Sequence, residues 1–274
     1  MTTATRTSTG SDIVRQTVVI AATTFMIIAA LFGVGLLGGT PVEDLQGGDL
    51  SAEATVLAPA SSAFSIWSVI YLFMIAYTVW QALPSQRASE RQRKVGYLIA
   101  LSAVFNGAWL LAAQFVTLFA TVAAIVLLLI TLAAAMRVLV LNPPRTALES
   151  VLTDVTVGLH LGWVSLATVA NSTAWLAADV VPAEAGEQAE VWGIMVLLVV
   201  AVIGAAIAIG TRGRLAPGLA MAWGLTWIGV GRTAGEPVAE PVAYAAWAAA
   251  AVVLLVPIIL WIRGRRGELD LDRR

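Results

Sequence analysis

The chain has 274 residues, 59% of them from the apolar AVILMFWYC set and only 12% charged, with a formal net charge of −1. A soluble domain carries about 45–50% apolar and about 25% charged residues, so this chain lacks the charge that a fully hydrated surface needs, and its outer surface is expected to meet lipid. The charge balance gives no reason to expect nucleic acid as a partner. The absence of cysteine excludes disulfides, thiolate catalysis and cysteine metal sites. The single histidine, His160, excludes a multi-histidine metal site within one chain. The basic residues are almost all Arg, and with the abundant Ala and Gly this composition associates with a GC-rich bacterial genome.

A membrane-spanning helix needs about 20 mostly apolar residues. Eight segments qualify: 13–37, 64–83, 95–115, 117–140, 150–176, 191–210, 215–232 and 241–262. The class expected is therefore all-α, a polytopic membrane helix bundle with about eight transmembrane helices. Residues 1–12, rich in Thr and Ser, read as a disordered tail, and 264–274 as a second tail. The first apolar run exceeds the 7–15 residues usual in a signal peptide, which favours an uncleaved anchor. The third and fourth segments nearly touch around Phe115–Leu118, so the turn between them must be very short.

The loops test this count independently. Cytoplasmic loops collect Lys and Arg. With the N-terminus inside and sides alternating, Arg232 is the one base among the 16 Lys and Arg to fall outside, leaving fifteen inside. A missed or invented helix in the middle would invert every later loop and spoil that division. The reading is a multi-pass protein of the cell membrane with both termini cytoplasmic. The outer connections are acidic, with Glu43, Asp44, Asp49 and Glu53 in the first and Asp179, Glu184, Glu187 and Glu190 in the fifth; a solvated surface accounts for them.

Ten tryptophans remain to be placed. An aromatic belt at the two interfaces explains Trp80, Trp175, Trp192 and Trp261. Trp67, Trp109, Trp163, Trp223, Trp227 and Trp247 fall inside their spans. Phe64, Trp67, Tyr71, Met74 and Thr78 make one stripe on the second helix, and His160, Trp163, Ala167 and Asn171 make one on the fifth. Asn106 and Trp109 are three apart on the third. Polar groups at membrane depth usually face the bundle interior, so the tryptophans that share their stripes face inward too. Two readings fit: side chains that fill the core between closely packed helices, or an aromatic pocket in the outer half closed by the loop 38–63.

The run Pro59-Ala60-Ser61-Ser62-Ala63-Phe64-Ser65-Ile66-Trp67-Ser68-Val69-Ile70-Tyr71 resembles the start of the second helix in the TspO/MBR family, the tryptophan-rich sensory proteins. Asn106-Gly107-Ala108-Trp109 resembles that family's Asn-x-x-Trp, and Trp163-Val164-Ser165-Leu166-Ala167-Thr168-Val169-Ala170-Asn171 its Trp-Val-x-Phe-Ala-x-x-x-Asn. The three pieces stand in the right order on the right helices and cover about residues 13–176. The resemblance implies a five-helix bundle that binds porphyrin, haem or sterol-like ligands, with the loop after the first helix as a lid. The chain departs from the pattern at Leu159 and His160, where the family has Pro-Tyr, and in a Phe64-to-Trp67 distance one residue short. Residues 177–263 add three helices, which suggests an extended, divergent branch.

Several single residues keep two readings. His160 is either a core histidine or a ligand or proton carrier. Asp154 is expected to pair with Arg137 or Arg145. Arg232 either meets an anionic ligand or neutralises Glu236 or Glu240. No nucleotide loop, paired-carboxylate motif or Ser/His/Asp order is visible, so no enzymatic activity is expected. The functional expectation is a lipid-embedded protein that binds a hydrophobic aromatic ligand, such as a tetrapyrrole, through Trp67, Tyr71, Asn106, Trp109, His160, Trp163 and Asn171, for sensing, sequestration or transport. It requires no cofactor beyond a porphyrin or haem as that ligand, and the sequence leaves open whether it forms a homodimer. The rivals are a secondary transporter of a small solute, for which repeats and broken helices are sought in vain, and a scaffold without ligand.

Overall fold

The computed structural model describes residues 9–271, so positions 1–8 of the expected N-terminal tail lie outside the described residues. Eight long helices run in order: α1 Gly10–Gly33, α2 Ile66–Ala82, α3 Glu90–Phe115, α4 Leu118–Leu141, α5 Thr156–Trp175, α6 Ala189–Gly210, α7 Leu215–Ala234 and α8 Glu240–Leu271. The first starts earlier than its apolar run. Thr9 and Asp12 form a reciprocal capping box, and Asp12 is buried in an ion pair with Arg93 at 2.7 Å. Residues 9–12 are therefore ordered helix start rather than disordered tail. Thr117 caps α4 by accepting from the Ala120 amide, which makes the predicted short turn after α3.

Among the described residues, seven helical segments are long and apolar enough to cross a membrane; α7 falls short of that measure because its sequence is rich in Gly and interrupted by Arg232. Its ends nevertheless reach both ends of the bundle. Arg214, just before its first turn, bonds Asp154, whereas Arg232 in its last turn bonds the loop that follows α1. The Gly content explains how α7 fits. A Cβ at Gly162 would stand 2.1 Å from the Pro217 carbonyl oxygen, and one at Gly158 would stand 2.8 Å from the Ala216 Cβ. Small residues four apart let α5 and α7 approach backbone to backbone. On its other side, Gly218 of α7 faces the Val253 carbonyl of α8, the acceptor that Pro257 leaves without a helical donor.

The core divides at that seam. One apolar cluster joins α1–α5 around Ile70, Tyr77, Leu128 and Trp163. The other joins α6–α8 around Leu197, Leu225 and Val253, with Leu166 of α5 and Leu57 of the first loop. At the basic end, Asp154 accepts from Arg91 at 2.7 and 2.8 Å and from Arg214 at 2.7 Å, and Glu149 lies 3.7 Å from Arg91. The expected partners, Arg137 and Arg145, are not the ones used. A π-helical turn over Ser150–Val155 precedes α5 and inserts an extra residue into the turn, so Asp154 faces α3 and the entry to α7.

Candidate functional site

The opposite end of the bundle holds an apolar cavity of about 70 Å³ between α2, α3, α4 and α5. Its walls are built from the stripes that carry aromatic and amide side chains. The chain enters α2 through a 3₁₀ turn, Ser61–Ser65, which brings Phe64 and Trp67 against Trp163. Phe64 meets the Trp163 ring edge-on at 5.9 Å between centroids, and Trp67 meets it edge-on at 6.1 Å. One helical turn deeper, Tyr71 stacks on Trp67 at 5.2 Å and an interplanar angle of 20°. Edge-to-face and offset pairs at such distances suit the ring quadrupoles.

The polar groups of this end are tied together. Trp109 donates its indole N–H to Asn171 Oδ1 at 2.7 Å, and the Asn171 amide donates to Thr121 Oγ1 at 2.8 Å. The Thr121 hydroxyl donates in turn to the Leu118 carbonyl at 2.6 Å. This relay links α3, α5 and α4 and fixes which face of Asn171 meets the cavity. Tyr71 donates to Asn106 Oδ1 over 3.4 Å. His160 is fully buried, with its ring edge against Trp67 at 5.8 Å; neither of its nitrogens finds a hydrogen-bond partner, and the Trp163 indole nitrogen likewise has none.

Five of the seven predicted positions, Trp67, Asn106, Trp109, Trp163 and Asn171, line the cavity. Tyr71 and His160 do not. They stand behind Trp67, one layer deeper; His160 meets the cavity wall through that ring, and Tyr71 through that ring and its bond to Asn106. The six deep tryptophans also divide. Trp223 donates to the Ala63 carbonyl at 2.9 Å and packs edge-on against Trp227, and Trp247 donates to the Thr226 carbonyl at 3.3 Å. Trp223 ties α7 to the turn that enters α2, Trp227 packs against it and Trp247 joins α8 to α7; none of the three lines the cavity.

The loop between α1 and α2 forms the roof, with Leu50, Ala54, Ala58 and Pro59 closing the cavity. Both of its sides are fastened. On the α3 side, Gln46 donates to the Ala113 carbonyl at 2.7 Å, and Gln114 bonds the Thr40 backbone. On the α7 side, the buried Arg232 guanidinium donates to the carbonyls of Ala52 at 2.8 Å and Thr55 at 3.1 Å, and the Ala60 amide donates to the Trp227 carbonyl at 3.1 Å. Arg232 does not line the cavity; its guanidinium bonds backbone carbonyls directly, while the carboxylates of Glu236, as expected, and of Glu53 balance its charge without an ion-pair contact. Asp49 is the one charged side chain in the cavity wall among the described residues. The roof contacts of Arg232 had no sequence signal beyond its being the sole base on the acidic side.

Against known proteins, the family model described as TSPO-like protein matches residues 18–259. That match runs beyond residue 176 through α6 and α7 and into α8. No curated protein and no solved structure matches the chain.

Proposed function

The chain belongs to the TSPO-like protein family, and from that premise we propose that it binds a hydrophobic aromatic ligand in the roofed cavity, for sensing, sequestration or transport. The observation that carries this reading is the convergence of Trp67, Trp109 and Trp163 with Asn106 and Asn171 on one apolar space. Ligand sites are mostly apolar with a few placed polar groups, and this one has that composition. Its present volume, about 70 Å³, lies below the roughly 300–1,000 Å³ of typical ligand pockets. A tetrapyrrole therefore needs more room than this cavity holds, and movement of the roof would supply it. With Asp49 and no cation in the wall, the cavity suits an uncharged ring system, and the carboxylates of a porphyrin would have to point out past the loop.

In this reading α6–α8 serve the roof: α7 holds it through Arg232, the Trp227 carbonyl and Trp223. The protein binds rather than catalyses, and it sits in the cell membrane with both termini in the cytoplasm. The small volume favours one rival, a scaffold without ligand. Titration of the purified protein with protoporphyrin, read by tryptophan emission, separates the two. Saturable quenching is expected, because three tryptophans line the cavity; unchanged emission would overturn the binding reading in favour of the scaffold.

A further inference from the structure

A second concavity, of about 450 Å³, lies at the basic end between α4, α5 and α6, on the outside of the bundle. It exists because α6 packs on α8 and α7 rather than on α4, and because Ala133, Ser165 and Gly210 leave room along its floor and rim. Its walls are apolar, with Leu129, Met136, Leu161 and Ile207 among them. The three hydroxyls it contains, of Ser165, Thr168 and Thr211, all donate to carbonyls of their own helices, Thr211 to that of Ala208 at 3.3 Å. Ser165 donates to the Leu161 carbonyl and Thr168 to the Val164 carbonyl, each at 2.7 Å. No carboxylate lines the groove, and one cation does, Arg137.

The arginines of this end differ in their commitments. Arg91 and Arg214 are both bound to Asp154. Arg137 is exposed and makes no ion pair or hydrogen bond among the described residues. From this charge pattern we propose that the groove holds one acyl chain of an anionic phospholipid, whose phosphate is bound by Arg137. The chain alone gives no selectivity, since lipid tails meet an equally apolar surface anywhere on the bundle. The guanidinium bonds the phosphate of any phospholipid; selectivity resides in the net headgroup charge, because the quaternary ammonium of a zwitterionic lipid cancels the attraction that an anionic lipid keeps. The site is separate from the roofed cavity and does not depend on its ligand.

The test is native mass spectrometry of the full chain, released from bilayers of equimolar phosphatidylglycerol and phosphatidylcholine with identical acyl chains. The retained lipid is expected to favour phosphatidylglycerol about fivefold, the preference one basic residue supplies near a membrane surface. Arg137→Gln should bring the ratio to about one, and Arg137→Lys should keep a preference because the charge remains. Arg145→Gln, which removes a charge near the same end but outside the groove, should leave the ratio unchanged. Ala133→Trp, which fills the groove, should lower retention of both lipids. Equal retention by the unmodified protein, an equal effect of the Arg137 and Arg145 changes, or a lipid-free dimer would each overturn the proposal.

Discussion

The two ends of this bundle are held by different chemistry. At the basic end, Asp154, Glu149, Arg91 and Arg214 form a buried, charge-balanced group that locks α3, the π-helical turn and α7 together. At the roofed end the ties are neutral or one-sided: amides, an indole and one guanidinium on backbone carbonyls, around stacked rings and an unfilled volume. An ion pair with its partner removed leaves a buried charge, so the basic end moves only at high cost. The roof contacts can be exchanged for water one by one. The charged group thus holds its end more rigidly than the ties of the roof hold theirs, and in the proposed binding reading the roofed end is the one that opens.

Breaking the rigid end should have the largest effect. Asp154→Asn leaves two guanidinium groups, Arg91 and Arg214, with the more distant Glu149 as their one carboxylate, and an unfolding titration in mixed micelles should show a loss of about 3–5 kcal/mol. In an Arg214→Gln background the same change should cost less, since contacting residues are not additive. Next comes the seam between α5 and α7. Gly162→Ala puts a Cβ against the Pro217 backbone, which cannot swing aside as a side chain can, and should cost about 1–3 kcal/mol, the usual penalty of overpacking. The roof should yield at a similar cost. Arg232→Gln should cost about 1.5–3 kcal/mol, the worth of a hydrogen bond to a charged group, yet raise the association rate of porphyrin severalfold in stopped-flow quenching. Smallest is Trp109→Phe, which keeps one aromatic ring in the wall but removes the second ring and the donor to the buried Asn171; about 1–2 kcal/mol is expected from the same unfolding titration.

How much of this was legible in the sequence follows from the range of each interaction. The eight helices could be read because a bilayer imposes a length and a composition on every span, and the Arg distribution checked their number. The cavity walls could be read in part because Trp67, Trp163 and Asn171 share stripes that periodicity exposes. Periodicity cannot say which neighbour a stripe faces, which is why Trp223 and Trp247 looked equivalent to Trp109 and are not. It also cannot rank depth along a stripe, so Tyr71 and His160 stood with Trp67 although they lie behind it. Asp154 was misassigned for two reasons: its partners are 63 and 60 residues away in the chain, and a π-helical turn shifts its direction where a regular α-helix was assumed. The roof contacts of Arg232 were missed because their acceptors are carbonyls, which carry no residue identity.

The claim that the roofed cavity is the binding site is tested most directly by measuring porphyrin affinity, through the shift of the porphyrin absorption band, for two variants that each lose one tryptophan. Trp67→Ala removes a ring from the cavity wall, and Trp192→Ala removes an exposed ring elsewhere on the surface. The account predicts at least a tenfold weakening for the first and none for the second, since loss of a stacking ring from a desolvated pocket should cost about 1.4 kcal/mol or more. Equal affinity of the two variants would contradict it.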